Sequence, residues 1–499
     1  MTTISKALWC TQALALALGV TLPAHAADEV HSSFDELLDR ELATPGGLTA
    51  DDAARAALHT NPLVKARAAD VEAADADVSR ATLGYVPIAT VGARYARLSD
   101  IGQGQLGNLV VAPGQPAGPI PAGAQLANAP VTFEMPLNQY TLQASLTVPV
   151  SDYLLRVGPN RDAAVSTHAA TRQYALATEH TTAANARIAY YDWVRGRFQV
   201  IVAQAALAQS QAHLTDAKSQ FEAGAGSQAD VLRVESLVAK NELLIVRAQN
   251  LDAKAEEQLR TYMHAPRTQT FHIAEDLRPA SLGRPLPPMF NLWQEAEHSR
   301  PEIAAANLAQ DARESGIQYD RAAYVPRVDL FADAQYSNPN SRVFPTKAEF
   351  RGSWDAGVAL SWTISDLPST VQRVKGDEAR YQSKEAERDD LLDQIHLEVM
   401  SAQQSLQETR VSQGTTKRQL DAAEESYRAR KLLFENGRAT TGELIDAETD
   451  LTQARLDAIN AHIDARVAEV RLARALGRGA CLTPDMPGRR IDPAARNCP

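Results

Sequence analysis

Two hydrophobic periodicities run through the chain. The first is helical. One face returns in steps of three and four residues through Leu392, Ile395, Val399, Ala402, Leu406, Thr409, Gln413, Thr416, Leu420, Ala423, Tyr427, Arg430 and Phe434. A matching face runs through Ala186, Ala189, Trp193, Gly196, Val200, Ala203, Leu207, Ser210, Leu214, Ala217 and Phe221. A seam sustained over so many heptads predicts coiled-coil rods. A helix of ~60 residues would be ~90 Å long, which no compact globule needs. The small residues on both seams favour close helix approach.

The second periodicity is two. Ala89, Val91, Ala93 and Tyr95 alternate with Thr90, Gly92, Arg94 and Ala96. Tyr140, Leu142, Ala144, Leu146, Val148 and Val150 alternate with small or polar residues. So do Val328, Leu330, Ala332, Ala334 and Tyr336, where Phe331 breaks the pattern. The fourth run is Trp354, Ala356, Val358, Leu360, Trp362 and Ile364. This alternation predicts strands at about 85–98, 140–151, 324–337 and 353–365, each two-faced. About 10 residues suit a tilted membrane strand. A soluble sheet with one face on a core alternates in the same way. Aromatics at the strand ends (Tyr95, Tyr140, Tyr336, Trp354) suit a membrane-interface band. Between the strands lie a Gly/Pro/Ala-rich loop at roughly 99–139 and a shorter one at roughly 337–352.

The chain carries this plan twice. NPLVKARAADVEAADADVSRATLGYVP from Asn61 matches RPEIAAANLAQDARESGIQYDRAAYVP from Arg300, with Pro62 and Pro301 239 residues apart. LTVPVSD at 146–152 matches LSWTISD at 360–366. FEAGAGSQADVL from Phe221 matches FENGRATTGELI from Phe434, 213 residues on. The fall in offset puts the extra length of the first copy between its two strands. The expected organisation is a first repeat at 27–265 with its helix tip at about 221–230. A linker follows at 266–299, then a second repeat at 300–477 with its tip at about 434–443, and a tail at 478–499.

Residues 1–26 read as a secretory signal: Lys6, an apolar run from Leu8 to Val20, and an A-x-A site at Ala24-His25-Ala26. Cys10 precedes the apolar run. Cys481 and Cys498 in the tail could pair in an oxidising compartment. Beyond the signal no apolar run reaches the ~18 residues of a membrane helix, so any membrane segment must be made of strands. Four strands cannot close a barrel, whose smallest membrane form has ~8. Two chains would supply eight strands and three would supply twelve; strand number does not choose between them. The 499-residue chain has a formal net charge of -11, which argues against a nucleic-acid partner. It contains no Walker A loop, G-x-S-x-G or H-E-x-x-H pattern, and its histidines have no ligand spacing. No enzyme activity, cofactor or metal is expected.

The signal, the duplicated helix–strand–strand–helix unit, the Tyr-Val-Pro lead into each first strand and the F-x-x-G helix tips resemble the TolC-like outer-membrane efflux protein family over roughly 50–477. The family's glycine-rich strand–helix junction is absent: PVSDYLLR (149–156) and TISDLPST (363–370) keep its Asp as Asp152 and Asp366. The resemblance implies a mainly α fold with a β-barrel portion. It implies a homotrimer with a 12-stranded outer-membrane β-barrel and a long periplasmic α-helical barrel. It further implies the exit duct of a tripartite efflux pump or type I secretion system, partnered by a periplasmic adaptor and an inner-membrane transporter. The alternative is a periplasmic coiled-coil scaffold or adaptor.

At the tips, Gly224 and Gly437 sit where a helix C-cap wants positive φ. Ser227-x-x-Asp230 and Thr440-x-x-Glu443 are capping-box patterns. Glu443 and Asp446 share a helix face. Under three-fold symmetry they would make acidic rings that favour cations, at positions where the resembled family is acidic at its periplasmic aperture. Asp230 matches Glu443 in the first copy, and Arg233 stands where the second has Asp446. Arg438 could reach Asp230 across neighbouring helices and hold the aperture shut. Gly224, Ala225, Gly437 and Arg438 form the expected adaptor-docking surface.

Overall fold

The computed structural model describes residues 44–478 apart from 101–103, 115, 117, 134–135, 276–284 and 345, and the backbone alone at 104–106 and 131–133. The expected signal segment, the tail beyond Arg478, Cys481 and Cys498 lie outside the described residues.

Each copy opens with two short helices. These are α1 (Ala50–Thr60) and α2 (Pro62–Thr82) in the first, α6 (Met289–Ser299) and α7 (Pro301–Arg321) in the second. The two pairs have equal lengths and the same 239-residue displacement as Pro62 and Pro301. The second copy therefore begins inside the segment expected to be a linker. Pro at the start of α2 and α7 lacks an N–H that would be unpaired there in any case. Both helices end in one 3-10 turn, Leu83–Tyr85 and Ala322–Tyr324.

Four strands follow that plan: β1 (Ile88–Arg97), β4 (Asn138–Val148), β5 (Arg327–Asn338) and β6 (Arg351–Ser361). They are shorter than the alternation predicts. Pro87 and Pro326 have no N–H for a ladder and start the strands after themselves. At the far ends, Pro149 leads into a short helix, α3 (Val150–Leu155), and Ile364–Asp366 is a 3-10 turn. The sheet is antiparallel in the order β1-β4-β5-β6, so β1 and β6 have open edges within the chain. The loop expected at 99–139 is not plain loop: β2 (Gly104–Val111) pairs with β3 (Ala127–Phe133) in a separate hairpin.

Two rods follow the sheet. α4 (Val157–Glu222) has 66 residues and returns as α5 (Gln228–Met263). α8 (Leu367–Glu435) has 69 and returns as α9 (Thr441–Ala475). At 1.5 Å per residue each rod is about 100 Å long. Both predicted seams face inward except at the tip of the first, where Phe221 is exposed. Trp193, Ala203 and Ser210 on α4, and Ile395, Val399, Leu406 and Tyr427 on α8, are buried. Gly196 permits the closest crossing: a Cβ there would lie 2.7 Å from the Cα of Asp252 on α5. Trp193, Tyr190, Leu259, Ile273 and Ile463 centre the first core. Leu292, Ile303, Val399 and Leu472 centre a second, and Tyr427, Leu444 and Leu451 a third, near the tip. Among the described residues no helix is long and apolar enough to cross a membrane.

Sheet and rods meet at Asp152. Its carboxylate takes Arg156 at the head of α4 at 3.3 Å and Arg327 at the start of β5 at 2.5 Å. The Val328 N–H donates to Ser151 Oγ at 2.9 Å. On the second copy, Arg373 of α8 pairs with Asp320 of α7 at 2.9 Å.

Candidate channel wall and aperture

The strand register sorts the sheet into two faces. Val91, Ala144, Ala334 and Trp354 form one row across all four strands, and Ala89, Leu146, Ala332 and Ala356 another. This face is apolar and open: Val91 is 78% exposed, Trp354 75% and Leu360 70%. At one end it carries an aromatic band. The Tyr95 and Tyr140 ring centroids are 5.0 Å apart. Phe350, from the β5–β6 loop, lies 6.0 Å from Tyr140 and 5.3 Å from Tyr336. Phe350 falls in a stretch with no alternation, so its place in the band has no sequence signal.

The opposite face is polar. One row reads Thr90, Ser145, Asp333, Asp355. Two carboxylates directly opposite would repel, yet each has its own donor. Ser145 Oγ donates to Asp333 at 2.5 Å. Arg342, from the β5–β6 loop, donates to Asp355 at 2.6 Å and to the Trp354 carbonyl at 2.7 Å. Phe331, the residue that broke the alternation, sits on this polar face because Gly357 lies opposite it and leaves room for its ring.

The helix tips are Schellman turns. The Ala225 N–H donates to the Gln220 carbonyl and Arg438 N–H to Leu433, with Gly224 at φ 75° and Gly437 at φ 68°. Both capping boxes form. Asp230 accepts from Ser227 and Glu443 from Thr440. Asp230 is held below the usual carboxylate range by the Ser227 hydroxyl, then by the Ser227 N–H, Thr441 and Arg233. Glu443 is held low by the Thr440 N–H and by Arg430, whose guanidinium lies 2.6 Å away.

Through Thr441 the carboxylate of Asp230 links the two tips of one chain. Arg233 lies against Gly442, where an added Cβ would meet its guanidinium at 2.9 Å. Glu443 and Asp446 are exposed on the first two turns of α9. Gly224 and Ala225, like Gly437 and Arg438, lie at exposed turns. Among the described residues, Arg438 and Asp230 of one chain are not paired.

Above the tip lies a polar cluster that sequence reading missed. Glu448 is 2% exposed, and neither carboxylate oxygen has a hydrogen-bond partner. His213 Nε2 is 3.5 Å from Glu448 Oε2 and 3.2 Å from the Tyr427 hydroxyl. Burial pushes Glu448 up to about 8 and His213 down. One turn along α4, Ser210 accepts from buried Asn241 of α5 at 3.0 Å. The signal was present: Glu448 follows Ala447 and lies between Leu444 and Leu451, on the inward face of α9.

The sequence profile described as outer membrane efflux protein matches residues 53–263 and 292–478. The outer membrane efflux protein BepC of Brucella suis biovar 1 is 24% identical over 314 residues, 63% of this chain. That match spans 66% of BepC, just under two thirds of its length. The fold is shared with solved outer-membrane proteins, two of them channels. MtrE of Neisseria gonorrhoeae superposes with a TM-score of 0.69 at 16% identity, over 86% of this chain and 88% of its own. CmeC of Campylobacter jejuni gives 0.69 at 13% identity over 96% of each. VceC of Vibrio cholerae gives 0.67 at 18%, over 86% of this chain and 96% of its own. With a family match over both repeats, a two-faced open sheet and paired long rods, the chain belongs to the outer membrane efflux protein family.

Proposed function

We propose that three copies of this chain form a passive outer-membrane exit duct that spans into the periplasm. One observation supports a barrel shared between copies, and the number three is taken from the resemblance to the efflux family. A sheet of four strands bears an exposed apolar face and a polar face, and both of its edges are open. In lipid, unpaired edge groups cost several kcal/mol each, so β1 of one copy pairs with β6 of the next. Three copies give twelve strands, with the apolar face in lipid and the row of Asp333 and Asp355 lining the lumen. The rods continue the duct as a helical wall. A water-soluble scaffold would have no use for an apolar sheet face this open.

The finer parts follow from placement. Glu443 and Asp446 ring the aperture and favour cations. Arg438 of one copy reaches Asp230 of its neighbour. The exposed turns at Gly224, Ala225, Gly437 and Arg438 receive a periplasmic adaptor, and an inner-membrane transporter supplies the energy. Efflux, named for BepC, is favoured over protein secretion as the use of the duct. Detergent-extracted protein should migrate as a heat-modifiable trimer and conduct ions in planar bilayers. A water-soluble monomer without conductance sinks the reading.

A further inference from the structure

The seam where α9 meets α4 and α8 is closed by apolar and small groups, and Glu448 interrupts it. Against Glu448, α4 contributes His213 and α8 contributes Tyr427; Asp216 and Lys431 lie near His213, and Gln209 and Glu435 near Tyr427. On α9 itself Arg455 is two turns on and buried. His213, the nearest base, is already engaged by the Tyr427 hydroxyl. A neutral carboxyl can stay in such a seam; a carboxylate has to gain water or a proton donor.

We propose that Glu448 is a proton-operated latch: with its proton it seats the α8–α9 hairpin on α4, and on losing it the hairpin loosens and the aperture opens. Glu448 lies roughly one and a half turns from Glu443, so loosening there moves the aperture acids directly. The sign follows from the burial of Glu448. Its value in the fold, about 8, is above that of a free glutamate. The seating is therefore complete in acid and is lost as pH rises through that value.

The latch builds on the channel reading, but its test needs no transport. In the assembled full-length protein, hydrogen-exchange protection factors for residues 444–455 are measured from pH 6 to pH 9. They should fall by up to about tenfold for each pH unit between pH 6 and pH 8 in wild type and level off above pH 8, where the carboxyl has lost its proton in the seated and the loosened state alike. Glu448→Gln should stay protected throughout, and Glu448→Met serves if Gln does not assemble. His213→Gln should keep the step with a displaced midpoint. A flat wild-type profile, or the wild-type step retained in Glu448→Gln, overturns the latch. So does a step lost in His213→Gln but kept in the Glu448 variants, which would assign the proton to His213. Protein that conducts yet shows flat protection refutes the latch alone; protein that neither assembles nor conducts refutes the reading beneath it.

Discussion

Arg430, near the end of α8, holds Glu443, in the first turn of α9, at 2.6 Å. The same carboxylate accepts from the Thr440 N–H, so the group that closes the turn is also the one proposed to charge the aperture. Both partners are exposed, so solvent screens the pair and it contributes little to stability.

The two roles of Glu443 separate by substitution. Glu443→Ala removes the acceptor of the Thr440 N–H and should lower the melting temperature, with Thr440 still capping the helix. Glu443→Gln keeps an acceptor and should fold as wild type. Combined with Asp446→Asn, it should reduce cation preference, read as a smaller reversal potential across a salt gradient. An unchanged reversal potential removes the acidic ring.

The face assignment of the sheet has its own test. Val358 lies on the apolar face and Ala359 on the polar face, opposite Asp329. Val358→Arg should cost about 2–4 kcal/mol of barrel stability if the residue faces mid-bilayer. Ala359→Lys should be accepted. Heat-modified gel mobility of both variants reports the difference; equal tolerance refutes the assignment.

Arg342 tethers the β5–β6 loop to the sheet wall through Asp355. The pair is half exposed, so Arg342→Ala should change stability by less than about 1 kcal/mol. It should nevertheless raise single-channel conductance for cations, because Asp355 then faces Asp333 without its counter-charge. Equal conductance would place the loop clear of the ion path.

Helix contact is tested by two glycines. Gly196→Ala puts a methyl 2.7 Å from the Asp252 Cα and should cost about 1–3 kcal/mol. Gly414 lies mid-helix with nothing within 4 Å, so Gly414→Ala should be neutral or stabilising by up to about 1 kcal/mol. Melting temperatures moving the same way in both would deny the close crossing.

The seams were legible because burial over many turns leaves a 3-4 pattern that local chemistry cannot disguise. Ile395, Leu406 and Tyr427 all face inward as their spacing required. The strands were legible for the same reason, but their ends were not, because a proline's missing N–H ends a ladder that side-chain alternation would continue. Phe331 looked like an error of pattern and is a matter of partner, since Gly357 lies on the next strand, beyond the β5–β6 loop in sequence and adjacent in space. The β2–β3 hairpin stayed hidden behind Gly and Pro residues that read as loop. Glu448 stayed hidden because acids on a long helix are usually solvated, and its burial depends on which helices close over it.

Asp152 has a mechanical consequence. By gripping Arg156 and Arg327 together, it fastens the root of α4 to the β wall, so the first hairpin is a cantilever with a clamped base. The root of α8 is tied to another helix instead. In the proposed duct, a sideways load on the tips would therefore bend the second hairpin more readily than the first.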